Sequence, residues 1–272
     1  MRKSQCNVVA ILLFLLAPVA LHTAAAKDGS DSLPAATAAP APEAAAEPAR
    51  VPAKGSKESR VEVGVGVKVS TLGIGGEAAV QLSHRSNVRV GFNAFSYGDN
   101  FTKDGANYKG TLSLRSLQAT YDLFLIGGLH LSPGVLVYNG NKVTANVSVP
   151  GGQTFTLSNV NYLSDAADPI GGTGKLSIYK AAPMVLIGFG NLVARSHHFS
   201  TTFEIGAAYQ GPPRITLNLT GSACDPTGLN CRSVSADPTI QANVVSEEAK
   251  LNKSASPYKF YPVVSFGVGY KF

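Results

Sequence analysis

The chain has 272 residues, 44% of them hydrophobic and only 15% charged, with 28 glycines, three cysteines and no tryptophan. That many glycines excludes a largely helical protein, since each weakens a helix interior by roughly 1 kcal/mol. The formal charge of +6 is not gathered into a basic stripe interleaved with aromatics, which excludes a nucleic-acid partner.

Residues 1–26 read as an export signal. Arg2 and Lys3 precede the apolar run VVAILLFLLAPVAL, and Ala24, Ala25 and Ala26 offer a small-residue cleavage site. The run is shorter than the ~20 residues that span a bilayer as a helix, so the expected outcome is cleavage near Lys27. Cys6 precedes the run and cannot be a lipoprotein cysteine. Residues 27–59 are rich in Ala and Pro, lack apolar periodicity, and read as a disordered periplasmic tether. The folded part is expected over 60–272.

From Val61 the polarity alternates with period two. Val61, Val63, Val65, Val67 and Val69 share one face, opposite Glu62, Gly64, Gly66, Lys68 and Ser70. Similar alternation predicts strands near 61–70, 76–83, 87–97, 111–122, 128–138, 176–191, 199–210 and 257–272. In the fourth, the phase changes between Leu114 and Leu117, which suggests a bulge or a pairing irregularity. Short connections alternate with long ones at 98–110, 139–175 and 211–256, the pattern of an outer-membrane barrel. The charged residues Glu62, Lys68, Glu77, Arg89, Glu204 and Lys271 lie opposite the large apolar positions of their strands. In a small barrel that polar face is the lumen, where the charges can pair.

Two cysteines remain after export, Cys224 and Cys231 in CDPTGLNC, and read as a disulfide closing a turn-rich loop. No metal or other cofactor is expected. His197 and His198 are adjacent, and adjacent strand residues face opposite ways. GGTGKL at 171–176 lacks the full phosphate-loop pattern and reads as a flexible loop end. Glu247 and Glu248 read as a solvated charge pair.

The last strand ends in SFGVGYKF. Ser265, Gly267, Tyr270 and Phe272 resemble the C-terminal β-signal of bacterial outer-membrane barrels, which implies recognition by the barrel-assembly machinery. The segments STLGIGGE, LSPGVLVYNGN and AAPMVLIGFGN resemble a family of Gram-negative outer-membrane proteins to which no reaction is assigned. The resemblance implies the fold and the location but no activity.

The expected architecture is therefore all-β, an antiparallel up-and-down transmembrane barrel of eight strands with long extracellular loops. Its expected role is structural or surface-interacting, with a filled lumen, in contact with outer-membrane lipid and lipopolysaccharide and with an unknown extracellular ligand. One alternative is a narrow channel or small-solute transporter of ten or more strands, drawing on parts of 142–158 and 213–220. Another is a lipid-modifying enzyme, because His130 and Ser132 share a strand face and resemble the His-x-Ser of outer-membrane lipid A deacylases.

Overall fold

In a computed structural model, the structure describes residues 62–103, 105–193 and 198–272. The expected export signal, the tether, Val61 and His197 lie outside the described residues. Within them the strands are β1 (Val63–Ser70), β2 (Gly73–Ser83), β3 (Ser86–Lys103), β4 (Ala106–Ile126), β5 (Leu129–Asn139), β6 (Lys142–Val149), β7 (Thr154–Leu157) and β8 (Val160–Ser164). They continue as β9 (Ile170–Ser177), β10 (Ala182–Phe189), β11 (Phe199–Tyr209), β12 (Arg214–Thr220), β13 (Ser222–Cys224), β14 (Arg232–Ser233) and, after helix α1 (Pro238–Ala255), β15 (Phe260–Lys271).

Eight of these strands close into an antiparallel ring in the order β1-β2-β3-β4-β5-β10-β11-β15, and β15 returns to pair with β1 from Gly64↔Lys271 to Ser70↔Ser265. Closure leaves no strand edge within the ring, as a wall in lipid requires. The polarity is inverted relative to a water-soluble barrel. Outward-facing Val67 is 62% exposed, whereas inward-facing Arg89 is 2% exposed. Phe92, Phe203, Ile205 and Phe266 also face outward. Aromatic contacts mark both ends of the wall, Phe199–Tyr270–Phe272 at one and Tyr209–Phe260 at the other. The ten steps from Phe199 to Tyr209 at a rise of ~3.4 Å, tilted by ~45°, span about 25 Å, the height of an outer-membrane apolar band. The chain is a transmembrane β-barrel. Among the described residues no helix is long and apolar enough to cross a membrane.

The long connections are folded, and here the sequence reading needs correction. Residues 98–103 and 106–110 form the outer ends of β3 and β4, which stay paired without a register shift from Ser86↔Leu123 to Lys103↔Ala106. The phase change between Leu114 and Leu117 is not a bulge in that ladder. It is a change of surroundings. The even-numbered residues of β4 keep to one face: Ser116, Gln118, Thr120 and Asp122 enter the polar lumen, while Ala106, Tyr108 and Leu112 pack on an apolar core beyond it. The ladder with β5 is the irregular one, and it shifts twice: Leu117↔Tyr138 is followed by Gln118↔Leu136, and Phe124↔His130 by Ile126↔Leu129.

Above the ring, β4 exchanges β5 for β6, and β9 and β12 extend that sheet. The segments 142–158 and 213–220 thus contribute strands outside the ring, not additional wall strands. The expected strand 176–191 is two elements, the end of β9 and β10. The stretch GGTGKL lies within β9, paired on both sides, instead of forming a loop end.

The inner face of this extension carries Leu112, Val143, Leu176 and Ile215, and α1 covers it with Ile240, Val244, Leu251 and Ala255. A small sheet, β14-β13-β8-β7, joins the same core. Asp237 caps α1, accepting from Thr239 N at 2.9 Å and Ile240 N at 3.0 Å, with Pro in the first turn. The Ile240 amide, together with nearby Arg232, holds the Asp237 carboxyl below its ordinary range.

β12 is the sheet's edge, and α1 closes it. Asn252 accepts from Ile215 N at 2.8 Å and donates to Ile215 O at 3.0 Å, and Glu248 accepts from Leu217 N. Glu247 accepts from Ser158 N at 3.1 Å, in the tight β7–β8 turn where Ser158 and Asn159 have φ of 51° and 71°. These glutamates tie the helix to the sheet, where the sequence suggested a solvated pair. Asn252→Ala should accelerate hydrogen exchange at the Ile215 amide at least tenfold and leave the ring strands protected. Unchanged protection at Ile215 would show that the edge is guarded by something other than this side chain.

Candidate functional site

The ring directs its polar faces at one guanidinium. Arg89 in β3 donates through Nε to Asp122 Oδ2 at 3.1 Å and through Nη2 to Asp122 Oδ1 at 3.0 Å. Its Nη1 donates to Glu77 Oε2 at 3.2 Å and Glu204 Oε2 at 3.0 Å, and Nη2 also donates to Glu204 Oε1. All five N–H groups of the side chain are thereby used. Lys68 pairs with Glu77 at 3.1 Å. Ser265 donates to Glu204 Oε2 at 3.1 Å, and Ser132 donates to Asp122 Oδ1 at 2.7 Å.

Seven of the eight ring strands supply a side chain to this cluster. The eighth, β10, supplies room. A Cβ on Gly188 would stand 2.7 Å from both Glu204 Cγ and His130 Nε2. An eight-stranded lumen is just wide enough for side chains to fill, and these fill its middle.

Apolar layers lie on either side. Toward the extension, Leu72, Leu136, Met184, Leu186 and Val263 pack together beneath Tyr261, whose hydroxyl donates to Thr71 O at 2.6 Å. At the other end, Leu192 and Val193 pack against Ala79. Asn191 accepts from Asn87 Nδ2 at 2.8 Å and from Val193 N at 2.9 Å, fixing the entry of that segment. Leu192 occupies space that a side chain on Gly66 would need, since a Cβ there would lie 2.9 Å from Leu192 Cδ1. Glycine on the polar face of β1 therefore serves the plug.

Of the six charged residues singled out in the sequence, Lys68, Glu77, Arg89 and Glu204 belong to the central cluster. Lys271 and Glu62 pair separately, at 3.4 Å, near the end where the chain finishes. Asp122 completes the cluster. It was legible as the last member of the alternation Ser116, Gln118, Thr120, Asp122, but the leucines at 112 and 114 confuse the phase just before it.

His130 and Ser132 are both buried, at 2% and 0% exposure. They serve different carboxylates. His130 Nε2 lies 3.2 Å from Glu204 Oε1 and its Nδ1 lies 3.1 Å from Gly128 O, so both ring nitrogens face acceptors. The Ser132 hydroxyl is committed to Asp122. The acidic partners that spacing did not reveal stand 74 and 10 residues away in the chain.

Of the four C-terminal residues, Ser265 and Gly267 face inward, and Tyr270 and Phe272 face outward with ring centroids 5.3 Å apart. His198 stacks on Tyr270 at 5.6 Å, and its Nδ1 lies 3.0 Å from Lys271 O. Cys224 and Cys231 form a disulfide, so they offer no thiolates to a metal beside Asp165. Within the loop they close, Asp225 accepts from the Thr227 hydroxyl, from Leu229 N at 2.9 Å and from Asn230 Nδ2 at 3.0 Å. Led by the Thr227 bond, these donors draw its carboxyl down to about 2.

No protein-family model and no curated protein sequence matches the chain. Among solved structures it is similar to CarO of Acinetobacter baumannii, at 22% identity and a TM-score of 0.50, over 79% of this chain and 100% of that one. CarO2 of the same organism is similar at 19% identity and the same TM-score, over the same shares of the two chains. At these identities the likeness is one of fold.

Arg89→Met should destabilise the barrel by about 3–5 kcal/mol, because it leaves three carboxylates facing one another without their common cation. Urea titration of the detergent-folded protein, read as the loss of the folded gel band, measures this. Adding Glu204→Gln to the variant should restore part of the loss. An unchanged midpoint for Arg89→Met would remove the cluster from the account of stability.

Proposed function

We propose that the protein is an integral outer-membrane barrel with a closed lumen, whose role is structural or surface-interacting and is carried by the folded extension of β4, β6, β9, β12 and α1. The observation that carries this reading is the Arg89 cluster between two apolar layers. An ion or solute crossing the barrel would have to break several buried charge-assisted bonds at once, and such bonds are about twice as strong as neutral ones.

Location in the outer membrane rests on the inverted, closed barrel, on the export signal read in residues 1–26, and on the resemblance of the chain's end to an assembly signal. Physical chemistry supports that last reading. β15 is the strand whose pairing with β1 closes the wall, and its final aromatics, Tyr270 and Phe272, face outward at the rim, where interfacial aromatics anchor a barrel. The extension, at the opposite end, then faces the exterior. The placement of His130 and Ser132 favours a non-catalytic role, since each is sequestered by its own carboxylate within the filled lumen.

Protein inserted into planar bilayers should show no steady, discrete conductance. Regular single-channel steps would overturn the closed-lumen reading in favour of a narrow channel. Separately, Phe272→Ala should lower the amount of assembled barrel in the outer membrane several-fold, with export into the periplasm unchanged. Wild-type outer-membrane levels of that variant would count against an assembly role for the chain's end.

A further inference from the structure

The strand registers place the outer face of the extension on one continuous surface. Four rows cross it: Ser113–Lys142–Ser177–Arg214, then Thr111–Thr144–Lys175–Thr216, then Lys109–Asn146–Thr173–Asn218, and last Asn107–Ser148–Gly171–Thr220. The outward positions of β3 beside them are Ala94, Ser96, Gly98, Asn100 and Thr102, and Arg115 lies one step below the first row. The face thus carries Lys109, Arg115, Lys142, Lys175 and Arg214, all exposed, and no Asp or Glu. Among the described residues none of the five is in a salt bridge. The opposite face of the same sheet is the apolar one under α1, so the charges are not a by-product of a generally basic domain.

This face continues the lipid-facing side of the wall. On β4, Arg115 follows directly after the outward residues Leu125, Leu123, Tyr121 and Leu117. From Arg115 to Lys109 the strand rises about 20 Å. At the foot of the face an open groove of about 310 Å³ is lined by Ser177, Ile178, Tyr179, Lys180, Pro212 and Arg214, adding a sixth cation and an exposed phenol.

From these positions we infer that the outer face of β4, β6, β9 and β12 docks the phosphorylated sugar headgroup of an outer-leaflet glycolipid. The acyl chains would lie along the wall below Arg115, and the phosphates would sit against the basic rows. The inference rests on the outer-membrane reading above. Charge complementarity and continuity with the apolar wall select this occupant, because a soluble anion would have no use for the adjoining lipid-facing surface. Clustered Lys and Arg beside a membrane bind anionic headgroups additively, and salt screens the attraction.

The test uses the full chain folded in detergent micelles, titrated with a lipid A–core glycolipid and with the same lipid after enzymatic removal of its phosphates. Lys142→Gln/Lys175→Gln/Arg214→Gln should weaken binding of the phosphorylated lipid about 100-fold. Removing the phosphates should cost the wild type a similar factor. Lys250→Gln/Lys253→Gln, on α1, should bind as the wild type does. Wild-type affinity in the triple variant, with its barrel still folded by gel mobility, would overturn the inference and leave the barrel reading standing. Equal affinity for the phosphate-free lipid would do the same. Failure of the wild type to insert into vesicles would strike the outer-membrane reading instead.

Discussion

A guanidinium sealed from water must find an acceptor for each of its five N–H groups, because a buried cation left short of partners costs several kcal/mol. Arg89 meets that demand with carboxylates from β2, β4 and β11, and those carboxylates in turn recruit Lys68, His130, Ser132 and Ser265. The acceptors come from all round the wall. A change of strand register or an added strand would carry at least one of them out of reach. The closed ring of eight, its register and its filled lumen are thus different expressions of one requirement.

The same economy of space explains the departures from simple alternation. β10 brings Ala182, Met184, Leu186 and Gly188 inward, because its neighbours already supply the polar groups and its middle must leave room for His130 and Glu204. The apolar residues above Gly188 join the upper plug. A barrel strand with an apolar inner face is unremarkable once the lumen is recognised as layered, with a charged middle between two dry ends.

Much of the wall was legible because lipid imposes a strict two-residue period: Val65, Val67 and Val69 in β1, or Phe203 and Ile205 in β11, permit only one assignment of faces. Legibility failed where the surroundings changed while the geometry did not. β4 keeps one register with β3 along its length, but its inner face passes from lumen to apolar core, so polarity alone reads as a slip near Leu114 and obscures Asp122. The partners of His130 and Ser132 were invisible for a different reason, since pairing across a closed ring does not respect distance along the chain. The helix within 211–256 left a clear start in Asp237-Pro238, yet its apolar residues Ile240, Val244, Leu251 and Ala255 are too sparse to announce a face. The basic surface could not be seen before β6, β9 and β12 were known to share a sheet.

The uninterrupted ladder of β3 and β4 has a consequence for how this hairpin can vary. One face of β4 serves a charged lumen, then an apolar core, while its other face serves lipid and then water. Adding or deleting a single residue between Leu112 and Ser116 would turn one of these halves over, sending Leu112 to solvent or Leu117 into the lumen. Change is tolerable only in steps of two on each strand. The height of the domain above the membrane is therefore quantised, in increments of about 7 Å set by the pleat.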